Sequence, residues 1–288
     1  LHRDDILIRA RDGVRLAAWR YRAAGAGRQP CIIMSAGFGG LRAHTLPAFA
    51  ERFAARGCSV LLYDHRGFGD SEGEPRLEAD PFRQMHDMRD VVTFATLQAD
   101  IDASRIGLWG NSYSGGHVLV VGALDRRVAC VVSVVPLTHG AMVVRRVTGE
   151  AAYPARLEEF HAARRAEMLA GGETVYEPQS RNAETLAAWA RLVPPRQNRV
   201  SVASNEMFAA YEPQAYVERI APTPLLMVLT DNDTRLCTDL QLEAYAKARE
   251  PKRLVLLRGG HYDPYASLFE PTAAASLDWF GQHLLRRS

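Results

Sequence analysis

The sequence predicts an α/β fold, a mostly parallel central sheet flanked by helices, with a helical cap inserted before the last strands. Two observations lead there. Short, unalternating apolar runs alternate with helical patterns over nearly the whole chain, as strands buried on both faces and joined by crossover helices should. Between Pro136 and Pro222 that alternation breaks down for about 85 residues, where a crossover needs far fewer.

Each element has its own reason. Ile6 to Ala10 and Val14 to Arg20 flank Asp12-Gly13, a dipeptide that favours a tight hairpin turn, so the fold opens on an antiparallel pair. Cys31 to Met34, Ser59 to Tyr63, Ile106 to Trp109, Ala129 to Val135, Leu225 to Leu229 and Leu254 to Leu257 follow as short β-rich runs. Leu46 to Ala55, Pro81 to Gln98, His117 to Leu124, Asp239 to Arg249 and Thr272 to Leu285 carry apolar residues at three and four spacing, several opened by Asp, Ser or Pro. Within the interruption, Tyr153 to Leu169, Ala183 to Leu192 and Asn205 to Tyr211 read as helices. The expected division is a core of residues 1–136 and 223–288 and a cap of residues 137–222.

Chemistry concentrates in the loops after the strands, the edge where open α/β sheets hold their sites. Ser112 sits in Gly110-Asn111-Ser112-Tyr113-Ser114-Gly115-Gly116, between a strand-like and a helix-like stretch. So sharp a turn pushes a hydroxyl out of the sheet and points a helix N-terminus at it. Ser114 offers a second register, with Gly116 two residues after it. Ser112 is preferred, because glycine two residues before the nucleophile is the stronger steric requirement and Ser114 is small enough for the other side. Thr230-Asp231-Asn232-Asp233-Thr234 offers an acid after the strand ending at Leu229, and Gly259-Gly260-His261-Tyr262-Asp263 a histidine after the strand ending at Leu257. Asp231, Asp233 and Asp263 are all acid candidates by position. A developing oxyanion needs preorganised donors, usually the amide after the nucleophile and one from the loop after the third strand. Those are Tyr113 and, in Ser35-Ala36-Gly37-Phe38-Gly39-Gly40, Phe38.

The order Ser, Asp, His resembles that of the α/β-hydrolase superfamily over essentially the whole chain. More narrowly, Asp64-His65-Arg66-Gly67-Phe68-Gly69-Asp70-Ser71-Glu72-Gly73, Gly110 to Gly116, Asp231 to Thr234 and Gly259 to Pro264 resemble the serine hydrolases described as X-Pro dipeptidyl-peptidase-like or polyketide-transferase-like. The resemblance implies Asp233 as the triad acid, and acyl transfer with Ser112 as nucleophile and His261 as base then acid. It departs in the acid loop, where relatives commonly carry a proline and this chain has Leu236-Cys237-Thr238. His65, Arg66 and Asp70 belong to a stretch that is structural in relatives.

The cap is expected to roof the site. His139, Met142, Trp189, Met207 and Phe208 are its candidates for substrate contact, and a mainly apolar roof suits a medium-sized ester, thioester or lactone. The same triad would serve an acyltransferase or a carbon–carbon bond hydrolase. A ligand-binding sensor that kept the fold with negligible turnover is the alternative of another class. Dehalogenases and epoxide hydrolases of this kind place an aspartate where Ser112 stands.

Bulk properties narrow the partners. With 35 basic and 33 acidic side chains in 288 residues the net charge is +2, too balanced to call for nucleic acid or an anionic membrane. His44, His86 and His117 show no metal-ligand spacing, and neither metal nor cofactor is implied. Cys31, Cys58, Cys130 and Cys237 are widely spaced and expected to be free thiols. Without a membrane-length apolar run or a signal-peptide pattern, the expectation is a cytoplasmic enzyme on a small molecule, with room for a homo-oligomer.

Overall fold

A computed structural model describes residues 2–23, 27–193 and 197–285. β1 (Arg3–Arg9) and β2 (Arg15–Tyr21) pair antiparallel with Leu7 opposite Ala17. At their turn the Gly13 amide donates to Ala10 O at 2.9 Å. β3 (Gln29–Ser35), α1 (Pro47–Ala55), β4 (Ser59–Tyr63), α2 (Pro81–Thr96), β5 (Ile101–Asn111), α3 (Ser112–Leu124) and β6 (Val128–Val134) follow in alternation. An insertion then carries α4 (Gly140–Thr148), α5 (Tyr153–Leu169), β7 (Tyr176–Glu177), α6 (Ala183–Leu192), β8 (Val200–Ser201) and α7 (Val202–Ala209). The chain returns through β9 (Leu225–Thr230), α8 (Thr238–Lys247), β10 (Lys252–Leu257) and α9 (Phe269–Phe280), which ends in a π-turn over Gly281–Leu285.

The large sheet has the order β1-β2-β4-β3-β5-β6-β9-β10. β2 runs antiparallel to both neighbours, and β4, β3, β5, β6, β9 and β10 are parallel. Because successive side chains leave a strand on opposite faces, the central strands feed two cores at once. Ile33, Leu61 and Leu108 pack with Met88 and Val91 of α2 and Val118 of α3, whereas Ile32, Leu62 and Trp109 pack with Phe49 and Phe53 of α1 and Phe280 of α9. That double burial is why these runs do not alternate in polarity. α2 is started by Asp80, whose carboxylate accepts from the amides of Phe82 and Arg83 at 2.8 and 3.1 Å.

The structure shifts several element ends, α7 for instance starting at Val202 where Asn205 is expected, and differs more clearly in three places. α3 begins at Ser112 rather than His117, since the glycine-rich turn is itself helical. α4 was not expected, its Val143-Val144 and Arg145-Arg146 pairs masking the helical period. The short β7–β8 ribbon inside the insertion carries no period at all over two residues.

Candidate active site

β5 passes directly into α3, with no residue between Asn111 and Ser112. Ser112 takes up the reversal with φ +56°, a left-handed conformation unusual for a residue with a side chain. Gly110 is what lets the helix fold back so tightly: a Cβ there would stand 2.3 Å from Ser114 O. Ser114 itself is fully buried, its hydroxyl bonded to that of Ser35 beneath the turn. Of the two registers, Ser112 alone faces the adjoining cavity. No side chain caps α3, so the positive end of that helix is left open toward Ser112.

The loops after β9 and β10 bring the other two groups to Ser112. His261 Nε2 lies 3.0 Å from Ser112 Oγ, and His261 Nδ1 lies 2.8 Å from Asp233 Oδ2. A carboxylate only accepts, so Nδ1 carries the proton and Nε2 is the acceptor facing the hydroxyl. Asp233 Oδ1 accepts from the amides of Arg235 and Leu236 at 2.9 and 2.8 Å, and Oδ2 also accepts from Gln241 Nε2 on α8 at 3.0 Å. Burial works to raise the Asp233 carboxyl, but the facing His261 and these bonds outweigh it and hold the group below its ordinary value. The loop carrying Leu236-Cys237-Thr238 is closed by Thr238, whose hydroxyl accepts from the Asp233 amide and donates to Thr230 O.

The rival carboxylates have other work. Asp231 accepts from the Gly259 amide at 3.0 Å and ties the two loops together. Asp263 accepts from the amide of Gly260 and the hydroxyl of Ser267.

Phe38 and Tyr113 stand side by side. Their rings meet edge to face at 5.1 Å, and Phe208 of α7 stacks on Tyr113 with centroids 5.5 Å apart. The Tyr113 amide is in the uncapped first turn of α3. The loop carrying Phe38 is held from beneath by His65, whose Nε2 donates to Ala36 O at 3.0 Å. His65 thus organises this neighbouring loop, a role its own surroundings in sequence could not reveal. Burial pushes its pKa down to about 4, so the ring is neutral there.

The cavity above Ser112 has a volume of about 290 Å³. Trp189 and Phe208 are in its wall; His139, Met142 and Met207 are not. α4 turns Val143, Val144, Val147 and Thr148 to the cavity, a helical face that leaves Met142 off it and only partly buried. In α7, Asn205 and Phe208 share the cavity face by the same rule and Met207 lies off it. His139 instead stands immediately before α4, its Nδ1 turned to the Glu212 carboxylate at 2.8 Å. Wall residues that sequence reasoning missed include Phe160, Arg156 and Gln179. Arg156 is neutralised by a bidentate pair with Glu177, its Nη1 and Nη2 each donating to one carboxylate oxygen, and Glu177 also accepts from Asn205 at 2.7 Å. No group of three metal-ligating side chains occurs among the described residues. All four cysteines are buried and unpaired, and no described helix is long and apolar enough to cross a membrane.

The X-Pro dipeptidyl-peptidase (S15) family matches residues 12–263. A polyketide transferase of Penicillium sp. is 32% identical over 99% of this chain and 98% of its own. A thiohydrolase of Aspergillus aculeatus is 30% identical over 84% of this chain and 81% of its own. Among solved structures, the α/β-hydrolase GrgF from Penicillium sp. superposes with a TM-score of 0.88 at 32% identity, covering 99% of this chain and all of that one.

Proposed function

The chain belongs to the X-Pro dipeptidyl-peptidase (S15) family and is an α/β-hydrolase enzyme; we propose that it cleaves a carboxylic ester, thioester or lactone of a medium-sized, mainly apolar acyl group through an acyl-enzyme on Ser112. The observation that carries this reading is the continuous hydrogen-bonded chain from Ser112 Oγ through His261 to Asp233, at 3.0 and 2.8 Å.

The steps follow from that chain. Ser112 Oγ attacks the substrate carbonyl carbon as its proton passes to His261 Nε2, and the resulting imidazolium is stabilised by the buried Asp233 carboxylate. The carbonyl oxygen becomes an oxyanion facing the amides of Phe38 and Tyr113. Collapse expels the alcohol or thiol, which leaves with the proton from His261. Water then repeats the sequence on the acyl-enzyme, giving the carboxylic acid and free Ser112.

Residues 137–222 serve in this reading as a cap over the nucleophile. The valines of α4 with Phe160, Trp189 and Phe208 give the cavity a mainly apolar wall; of the arginines in it, Arg156 is paired with Glu177 and Arg235 comes from the loop after β9. Such a wall favours an uncharged acyl chain and keeps bulk water from the intermediate. The thiohydrolase relative supports a thioester among the substrates. The polyketide transferase relative favours a second outcome on the same acyl-enzyme, capture by an alcohol or amine instead of water. Product analysis with a competing alcohol separates the two.

Ser112→Ala tests the reading. The variant is expected to lose turnover of a short-chain p-nitrophenyl ester while keeping the wild-type melting temperature. Retained turnover refutes the acyl-enzyme.

A further inference from the structure

Three consecutive peptide groups around Phe38 are each held by a different donor. The carbonyl of Ala36 accepts from His65 Nε2 at 3.0 Å, and the carbonyl of Gly37 accepts from the Gly40 amide at 2.9 Å. The carbonyl of Phe38 accepts from the side-chain amide of Gln179. In a planar trans peptide the N–H points opposite to the C=O. Fixing the Gly37 carbonyl into its turn therefore aims the Phe38 N–H the other way, and the groups on either side decide how far it can rock.

The first two donors come from the core, next to the sheet. Gln179 comes from the insertion, two residues after β7, and lies in the wall of the cavity that holds Ser112. Gly39 confirms how closely the two segments meet. It adopts φ +59°, and a Cβ there would stand 2.7 to 2.8 Å from the Gln179 carboxamide atoms. Phe208, also of the insertion, reaches the same loop through its ring contact with Phe38 at 5.3 Å.

We infer that Gln179 is a positioning residue for the reaction: by donating to Phe38 O it completes the oxyanion-binding loop from the cap side, so that the amide of Phe38 is correctly aimed only when the cap is seated. The inference rests on the acyl-enzyme reading above and adds to it that the cap contributes to the rate of acyl transfer as well as to the shape of the cavity. A preorganised donor in place before the reaction stabilises the tetrahedral intermediate far more than the planar ground state.

The test compares Gln179→Ala, which removes the donor, with Gln179→Glu, which keeps the volume but turns an acceptor toward the Phe38 carbonyl. Rates are expressed per Ser112 labelled to completion by a fluorophosphonate, so that loss of folded protein does not enter. On p-nitrophenyl butyrate both variants should lose about 10- to 100-fold in kcat with KM within about twofold of wild type. Affinity for a trifluoromethyl ketone with the same acyl chain, which forms a hemiketal oxyanion on Ser112, should fall by the same factor. Gly39→Ala displaces Gln179 from the other side and should lower kcat too, with the Gly39→Ala/Gln179→Ala double variant no slower than the slower single one. Wild-type kcat and ketone affinity in either Gln179 variant overturn the inference, as does a loss confined to KM. If Ser112→Ala itself keeps turnover, the acyl-enzyme reading falls and takes the inference with it; if Ser112→Ala is inactive while the Gln179 variants are unimpaired, the inference alone falls.

Discussion

Asp231 and Asp233 stand two residues apart at the end of one strand, and their bonds separate their roles. Asp233 Oδ2 faces His261 Nδ1, while Asp231 spends its carboxylate on the Gly259 amide. Asp233→Asn puts a donor where the imidazole needs an acceptor, turning the ring to the wrong tautomer, and should lower kcat by about 10³- to 10⁴-fold. Asp231→Asn keeps an oxygen for Gly259 and should stay within about threefold of wild type, since a neutral acceptor weakens one exposed loop bond by a fraction of a kcal/mol. Steady-state kinetics on one ester decides between them. The reverse ranking would move the triad acid to Asp231.

At the scale of elements, the junction of β5 and α3 governs whether Ser112 is presented at all. Gly110→Ala drives a Cβ into the backbone of Ser114, which cannot swing aside as a side-chain tip can. Relief requires the helix to move off the strand, and the expected result is loss of more than about 100-fold in kcat/KM from displacement of Ser112 by ~1 Å. A circular-dichroism melt alongside the kinetics distinguishes displacement from unfolding. This junction was legible in sequence because its cause is local: Gly110 two residues before Ser112 and the small Ser114 two after it, between an apolar run and a helix. So were the central strands, whose double burial leaves unbroken apolar runs, and the loops holding Asp233 and His261, which follow from where those strands stop. The cavity wall was legible only in part: Trp189 and Phe208 were expected and line it, whereas His139, Met142 and Met207 do not. Choosing Val143 over Met142, or Phe208 over Met207, requires knowing which side of a helix meets the site, and both sides here are apolar enough to pack. Gln179 and His65 escaped for a different reason: each acts on a loop far away in sequence, through a bond that no periodicity records.

At the scale of the whole molecule, stability should depend on pH through the buried histidine that holds the Phe38 loop. His65 has a folded-state pKa of about 4 against an ordinary value of 6.5. The unfolded chain therefore binds a proton that the folded one refuses, so the stabilisation is whole above pH 6.5 and is lost as pH falls toward 4. By pH 4.5 the loss amounts to about 2–3 kcal/mol. His65→Gln retains a donor for Ala36 O and removes the titration, so urea unfolding at pH 7 and pH 4.5 should show a smaller drop for the variant by that amount. Equal drops would mean that His65 is protonated in the folded state. Through this loop the sheet and the insertion meet beside Ser112, and the central proposal is that Ser112 carries the acyl group during turnover. Acid-quenching the enzyme during steady-state hydrolysis of a slowly released acyl thioester, followed by peptide mass spectrometry, tests it most directly. The expected result is a mass increase equal to the acyl group on the peptide bearing Ser112, absent in Ser112→Ala. Turnover with no adduct, or with the adduct on another residue, would contradict it.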